Sequence, residues 1–529
     1  MSPEHTAPPL VILAIDAADI ELVKRWTESG HMPTLAGVMR TGCFLEVGGA
    51  DLVNETGSWI SLYSGVAKTT HGFYSIRQLV SGTYTLVQTN AAVAKDAPPF
   101  WRFLRGGTKK AAIVDPPEFN VVPDVPGIQL TNWAAHESER LWEMARSLPE
   151  QVLPSVRAKF GSGDKLATFA HRGTEADDFA DYQRALARIA TKGLVCRDVI
   201  GRDSFDVVVA TFFEAHTIGH RLWSYQPEFA PPNRLSNGLR DLYQAIDGEL
   251  ARTLADLPPH ANVFIMSAYG MAGMYPTTGL MDAFLHQLGY QVPRRLEQVI
   301  EGNRFNPLTR MLTQMLPRLR RAIPQPVRKW VSQFLPAKVQ EQLIASDFAA
   351  NTDWSRSLAF GIPNLYNGQI RLNVRGREPQ GLVEPGAEYD AMLDRLEADL
   401  KQLIDPKTGR PAVARVFRSA DAFHVGIDHV LPDLFVEWEW APHFMDEVLH
   451  PKGKLVQDPE HYHRSSFHRP TGFVAAAGPW IPRNPITHTV NVRDLAPTFL
   501  SMLDVPIPDT MTGHPLSFVQ RPVSAAARA

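Results

Sequence analysis

Two histidines four residues apart, His216 and His220 in the segment HTIGH, project from one helix face if the chain is helical from Thr217 onward. At that spacing imidazoles often share a metal ion. Glu214 lies two residues earlier, so a strand-to-helix corner here gathers a carboxylate and two imidazoles. A hydrogen-bonded corner histidine without an ion is the plain alternative. A second cluster, HYHRSSFHRPTG, carries His461, His463 and His468, and its Pro470 and Gly472 make a turn into the apolar run Phe473 to Ala477. These three could be surface loop residues. A histidine returning late in the chain to complete a site begun at a strand end is also how α/β metalloenzymes are commonly built.

Such residues need a scaffold to bring them together. Val11 to Ile15 is a short β-branched run ending at Asp16, and Phe205 to Phe213 and Asn262 to Met266 repeat the pattern. Each reads as a buried parallel strand. Ile20 to Ser29 and Ala180 to Val199 read as amphipathic helices between them. The alternation predicts an α/β fold, a doubly wound and mostly parallel sheet with helices on both faces. Ligands in that architecture bind beyond the carboxyl ends of the strands. The rule singles out Asp16, Glu214 with His216, and Ser267 with Tyr269. For any one of these alone, a helix N-cap or a solvated loop is the simpler account.

Composition narrows the classes. The chain has 529 residues, 44% hydrophobic and 21% charged, which leaves room for two or three domains or one large α/β domain with an insertion. Lys+Arg 53 against Asp+Glu 56 gives a net charge of -3, which argues against nucleic-acid binding through bulk positive charge. Cys43 and Cys196 match no metal or redox spacing and read as free thiols in a reducing compartment. The N-terminus lacks a basic n-region, Asp16 and Asp19 break the first apolar run, and no apolar stretch reaches about 18 residues, so a cytoplasmic protein is expected.

The stretch 293–350 breaks the alternation. It is Pro-punctuated and helical in pattern, with no Asp or Glu between Gly302 and Gln340, and reads as an inserted basic helical cap. Arg318, Arg320, Arg321, Arg328 and Lys329 interleave with apolar residues such as Trp330 and Phe334. That face could meet an anionic substrate or a membrane surface, or be a solvated basic face of a helical hairpin. Strand-like patterning resumes over Gly361 to Val374, a helix over Glu388 to Ile404, and a strand over Asp433 to Trp438. The expected partition is a core at 8–292, the cap at 293–350, a second part of the core at 351–520, and a tail at 521–529.

With the segments VILAIDAAD, PTLAGVMRTG, WISLYSG, EAHTIGH, SAYGM, RLNVRGREPQGLV, PDLFV, HRPTGF and VNVRDLAPTFLSMLD in this order, the chain resembles the alkaline phosphatase superfamily, in its type I phosphodiesterase and nucleotide pyrophosphatase branch. The resemblance implies a doubly wound sheet that binds two metal ions, usually zinc, and a Thr or Ser that attacks phosphorus to form a covalent phospho-enzyme. For one metal it matches His220 and His468, and places His216 where the family has an aspartate; Glu214 or His216 itself could substitute. For the other metal Asp16 is present, but the family's Asp-His pair reads Ala268 and Tyr269.

The family's nucleophile position falls on Glu55, with Thr56 one residue late; Thr56 could instead cap a helix starting near Ser58. His71 falls in a structural HG turn. Arg375, Arg377 and Glu378 would form a buried network or reach an anion. The implied protein is a metal-dependent hydrolase of a small phosphorylated substrate with an altered site holding one Zn²⁺ ion. Its metal residues would come from Asp16, Glu214, His216, His220 and His468, and its catalytic residues from Thr56, Glu55 and Tyr269. The alternatives are a pseudoenzyme that binds an anionic ligand in the same cleft, and a transferase or lyase using Tyr269 as proton donor and Glu55 as base.

Overall fold

The run LVILAI, Leu10–Ile15, is buried at every position and lies between parallel strands on both edges. Leu13 lies opposite Ala210 of Val207–Phe212 on one side and Ile265 of Asn262–Ser267 on the other. With both faces covered, the sequence is continuously apolar rather than alternating. The computed structural model describes residues 7–135, 144–163, 166, 173–273, 277–294, 337–364, 367–457, 465–484 and 489–519. The chain divides into two compact units, one formed by Met1–Ser75, Asn90–Tyr275 and Arg464–Ala529, the other by Ile76–Thr89 and Pro276–His463.

The first unit is built on a nine-stranded sheet. Its spatial order is Thr489–Asn491, Cys43–Gly48, Gly472–Ala477, Asn262–Ser267, Leu10–Ile15, Val207–Phe212, Ala111–Val114, Gly127–Thr131 and Arg146–Leu148. The five strands from Asn262–Ser267 to Gly127–Thr131 are mutually parallel. Gly472–Ala477 runs antiparallel to both of its neighbours, and Arg146–Leu148 closes one edge antiparallel, so the sheet is mixed with a parallel centre. Helices cover both sides, as the alternation predicts.

The helix Ile20–Glu28 begins where the Asp19 carboxylate accepts from the N–H groups of Glu21 and Leu22, and it buries Ile20, Leu22, Val23 and Trp26. The expected helix over 180–199 extends to Glu175–Ile200, since Thr174 and Asp177 form a capping box that starts it earlier.

In the second unit, the strand-like region 361–374 is a hairpin of Ala359–Gly361 and Gly368–Leu372, in a four-stranded antiparallel sheet with Leu434–Trp438 and Val413–Arg418. The helix expected to reach Ile404 is Ala387–Leu400, and Ile404–Asp405 is a short strand. Arg377 donates to both oxygens of Asp433, at 2.8 and 2.7 Å, and pairs with Glu378, to which Arg371 also donates. Arg371, Glu378 and Asp433 are buried and the Arg377 side chain is only 7% exposed, so the segment is an internal charge network, while Arg375 makes an exposed pair with Glu384. Most of the expected cap, including Arg318 to Phe334, lies outside the described residues, as do His461, His463 and the tail. Among the described residues no helix is long and apolar enough to cross a membrane. Cys43 and Cys196 are free and buried.

Candidate metal centre

The parallel register sets Ile15, Phe212 and Met266 at one end of the sheet, so the residues that follow these strands converge. After Val207–Phe212 the chain turns into the helix Glu214–Leu222, which stacks His216 and His220 one turn apart. After Asn262–Ser267 it passes Ala268 and Tyr269 into a short strand, Gly270–Gly273, that pairs antiparallel with Ser466–Arg469 and sets Met271 opposite His468. The pairing carries His468 to the histidine pair. The three rings form a near-equilateral triangle, with centroids 5.0, 4.8 and 4.9 Å apart. Their ligand nitrogens lie within 4.8 Å of one another, and among the described residues this is the grouping of three or more metal-type ligands.

Hydrogen bonds select the tautomers. His216 Nδ1 lies 2.6 Å from Asp16 Oδ2, and a carboxylate accepts, so Nδ1 carries a proton and Nε2 is the nitrogen turned toward the other rings. His220 Nδ1 lies 2.9 Å from the Ser466 carbonyl oxygen, which fixes the same tautomer. His216 Nε2 then faces His468 Nε2 at 2.9 Å. A metal-binding imidazole characteristically donates its other N–H to a carboxylate or a carbonyl, so this donor set fits one ion.

Both Asp16 oxygens are engaged, Oδ2 by His216 and Oδ1 by the indole N–H of Trp59 at 2.8 Å. Burial raises the Asp16 pKa, but His216, Trp59 and His468 outweigh it and hold the carboxyl below its usual range. Glu214, a candidate ligand by sequence, accepts instead from Arg188 Nε at 2.7 Å and from the Phe213 N–H at 3.1 Å. Arg188 is buried on the helix Glu175–Ile200 and neutralises that carboxylate. Tyr269 is buried with its ring 5.0 Å from that of His468 and 6.1 Å from that of His216. Ala268, beside it, has no ligand atom.

The remaining candidates sit on a turn. The Thr56 hydroxyl donates to Glu55 Oε1 at 3.2 Å, and Glu55 Oε2 lies 3.7 Å from His468 Nδ1. The helix Ser58–Ser64 starts where expected, but Gly57 holds its cap position, leaving Thr56 to Glu55. Glu118 accepts from the N–H groups of Gly57 at 2.9 Å and Ile60 at 3.2 Å. Burial pushes its carboxyl up to about 7, against the pull of those N–H groups and of Lys68. His71 accepts the Phe73 N–H at Nδ1, so its Nε2 faces Ser61 Oγ as the donor at 3.0 Å. Burial, helped by Lys68, pushes its ring down to about 3.

Trp59, Lys68 and Glu118 were not singled out by sequence. For Glu118 a signal existed, because it follows the strand Ala111–Val114 by four residues, at the end where such sites form.

A sequence-family model described as type I phosphodiesterase / nucleotide pyrophosphatase matches residues 10–459. Curated protein sequences give no match. Among solved structures, phosphonoacetate hydrolase from Sinorhizobium meliloti 1021 in complex with phosphonoformate is 11% identical, with TM-score 0.48 over 94% of this chain and 96% of that chain. Murine ectonucleotide pyrophosphatase / phosphodiesterase 5 is 11% identical, with TM-score 0.43 over 96% of this chain and 98% of that chain.

Proposed function

From the premise that the chain belongs to the type I phosphodiesterase / nucleotide pyrophosphatase family, we propose that it hydrolyses a small phosphate ester at a site built for one zinc ion. The observation that carries this reading is the convergence of His216, His220 and His468, two of them held in the metal-binding tautomer, beside a hydroxyl already hydrogen-bonded to a carboxylate. A zinc ion held by the three imidazoles would polarise a phosphoryl oxygen and offset the charge that develops on it.

The chain's own residues supply the rest. Asp16 and the Ser466 carbonyl orient the imidazoles. Thr56 Oγ1 attacks phosphorus, its proton passes to Glu55 Oε1, and the bond from phosphorus to the leaving-group oxygen breaks. Water then attacks the phosphothreonine and gives up a proton that restores Tyr269 after it has protonated the leaving group, while the proton held by Glu55 returns to Thr56 Oγ1 as its bond to phosphorus breaks and the phosphate product departs. Tyr269, packed against His468, is the candidate proton donor to the leaving group. A cytoplasmic location belongs to this reading, supported by the free, buried Cys43 and Cys196.

Elemental analysis of the full chain, with His220→Ala and His468→Ala in parallel, tests it. The expected result is about one zinc per chain in the wild type and little in either variant, with hydrolysis of bis(p-nitrophenyl) phosphate lost in step. Phosphonoacetate, which a solved structure of Sinorhizobium meliloti phosphonoacetate hydrolase holds, is assayed beside it. A wild type that takes up no metal after incubation with zinc or manganese overturns the metal-dependent reading in favour of a ligand-binding pseudoenzyme.

A further inference from the structure

Lys68 is among the largest fully buried side chains of the protein, at 0% exposure. Burying an ammonium is costly unless nearby groups compensate it. Its surroundings show what compensates it. The backbone N–H of Lys68 donates to Asp51 Oδ1 at 2.5 Å, and Asp51 Oδ2 faces Arg493 Nε at 3.0 Å. The ammonium itself donates to the carbonyl oxygen of Asn54, and the carboxylates of Asp51, Glu55 and Glu118 act on it electrostatically. Asn54 immediately precedes the Glu55–Thr56 pair.

The same carbonyl accepts from Ser58 Oγ at 3.2 Å, and the Asn54 side-chain amide donates to the Tyr74 carbonyl at 2.6 Å. On the far side of the pair, the Gly57 N–H is tied to Glu118. The turn is therefore gripped at both ends, and Lys68 supplies the charged grip at its start. A methionine of similar length would fill the space without the desolvation cost and would leave the Asn54 carbonyl without its charged donor.

We propose that Lys68 is a positioning residue for the Glu55–Thr56 pair: by fixing the Asn54 carbonyl it sets the turn that places the Thr56 hydroxyl on the Glu55 carboxylate and Glu55 beside His468. The catalytic part of this proposal rests on Thr56 being the nucleophile. The positional part does not.

The test compares Lys68→Met, Lys68→Arg and Thr56→Ala with the wild type as full chains. Turnover is read on bis(p-nitrophenyl) phosphate with zinc bound, and amide hydrogen exchange is read without metal. In Lys68→Met, kcat is expected to fall by about 30-fold or more while KM stays within about threefold, the kinetic signature of a displaced reacting group. Zinc content stays at the wild-type level, and exchange protection falls by about tenfold at the amides of residues 54–58 while the strand Leu10–Ile15 keeps its own.

Lys68→Arg, which keeps the charge but alters the donor geometry, is expected to lose about three- to tenfold in kcat. A Lys68→Met protein with kcat within about threefold of wild type and unchanged exchange overturns the proposal, as does a loss of protection spread evenly over the sheet. Should Lys68→Met not fold, an unchanged kcat and unchanged exchange in Lys68→Arg overturn it as well. Full activity in Thr56→Ala removes the nucleophile reading alone, and the exchange data then judge the hold of Lys68 on the turn.

Discussion

Asp16 shows how the fold uses a single carboxylate. Its place after the first strand suggests a metal ligand, yet one oxygen meets the His216 Nδ1–H at 2.6 Å and the other the Trp59 indole at 2.8 Å. In the proposed centre its work is therefore done through His216, whose tautomer and ring orientation it sets, and its negative charge makes that imidazole a better donor. Asp16→Asn keeps the size but can turn its NH₂ toward Nδ1, which favours the wrong tautomer. Zinc affinity of that variant, measured by competition with a chromogenic chelator, is expected to fall by about 10–100-fold. An unchanged affinity would take Asp16 out of this role. Glu214 points the other way: its carboxylate is paired with the buried Arg188, which ties it to the helix Glu175–Ile200 and away from the proposed centre.

The element that matters most is the turn into the helix Ser58–Ser64. Gly57 sits at φ 78°, and a Cβ there would lie 2.1 Å from the carbonyl oxygen of Phe73. Backbone conformation and packing both exclude a side chain. Gly57→Ala is expected to destabilise the chain by more than about 1 kcal/mol and to abolish turnover by moving Thr56, read by denaturant unfolding and by kcat. Wild-type stability in that variant would refute the geometry of the turn.

The contrast between this turn and the strands explains what could be read in advance. Buried parallel strands are apolar throughout, so Leu10–Ile15, Val207–Phe212 and Asn262–Ser267 stand out, and with them the strand ends. The four-residue spacing of His216 and His220 is a helical period and is equally visible. His468 was one of three nearby histidines, and what selects it is the pairing of Ser466–Arg469 with Gly270–Gly273, a long-range contact with no local signature. Glu118 and Lys68 come to the turn from irregular segments and from a short helix, where no period marks which way a side chain faces. The Arg188–Glu214 pair joins residues 26 apart through the packing of two helices. The helix starting at Glu175 could have been found from its Thr174–Asp177 box; the buried arginine within it could not.

At the scale of the whole molecule, the first unit gathers ionisable groups whose burial makes its stability depend on pH in opposite senses. His71, pushed down to about 3 by burial and by Lys68, stays neutral in the fold. The unfolded chain protonates that histidine near pH 6.5, so the contribution of His71 to stability falls away as the pH drops from 6.5 toward 3. Glu118 acts in the other direction. Its folded pKa of about 7 lies above the ordinary 4.5, so the folded protein binds the proton more tightly across that interval. The stability this supplies is fully present below pH 4.5 and is lost as the pH rises through 7.

Glu118→Gln stays uncharged at every pH while its side-chain carbonyl still accepts from the N–H groups of Gly57 and Ile60. Relative to the wild type it should therefore gain stability from pH 4.5 to pH 8, by an amount on the order of 1–3 kcal/mol. Urea unfolding of the metal-free proteins at several pH values in that range reads the difference, and comparing variant with wild type cancels the titration of the site histidines. A constant difference across the interval would mean that Glu118 remains ionised in the fold. The ammonium of Lys68 would then compensate its burial, and the turn carrying Thr56 would be clamped at both ends by charged groups.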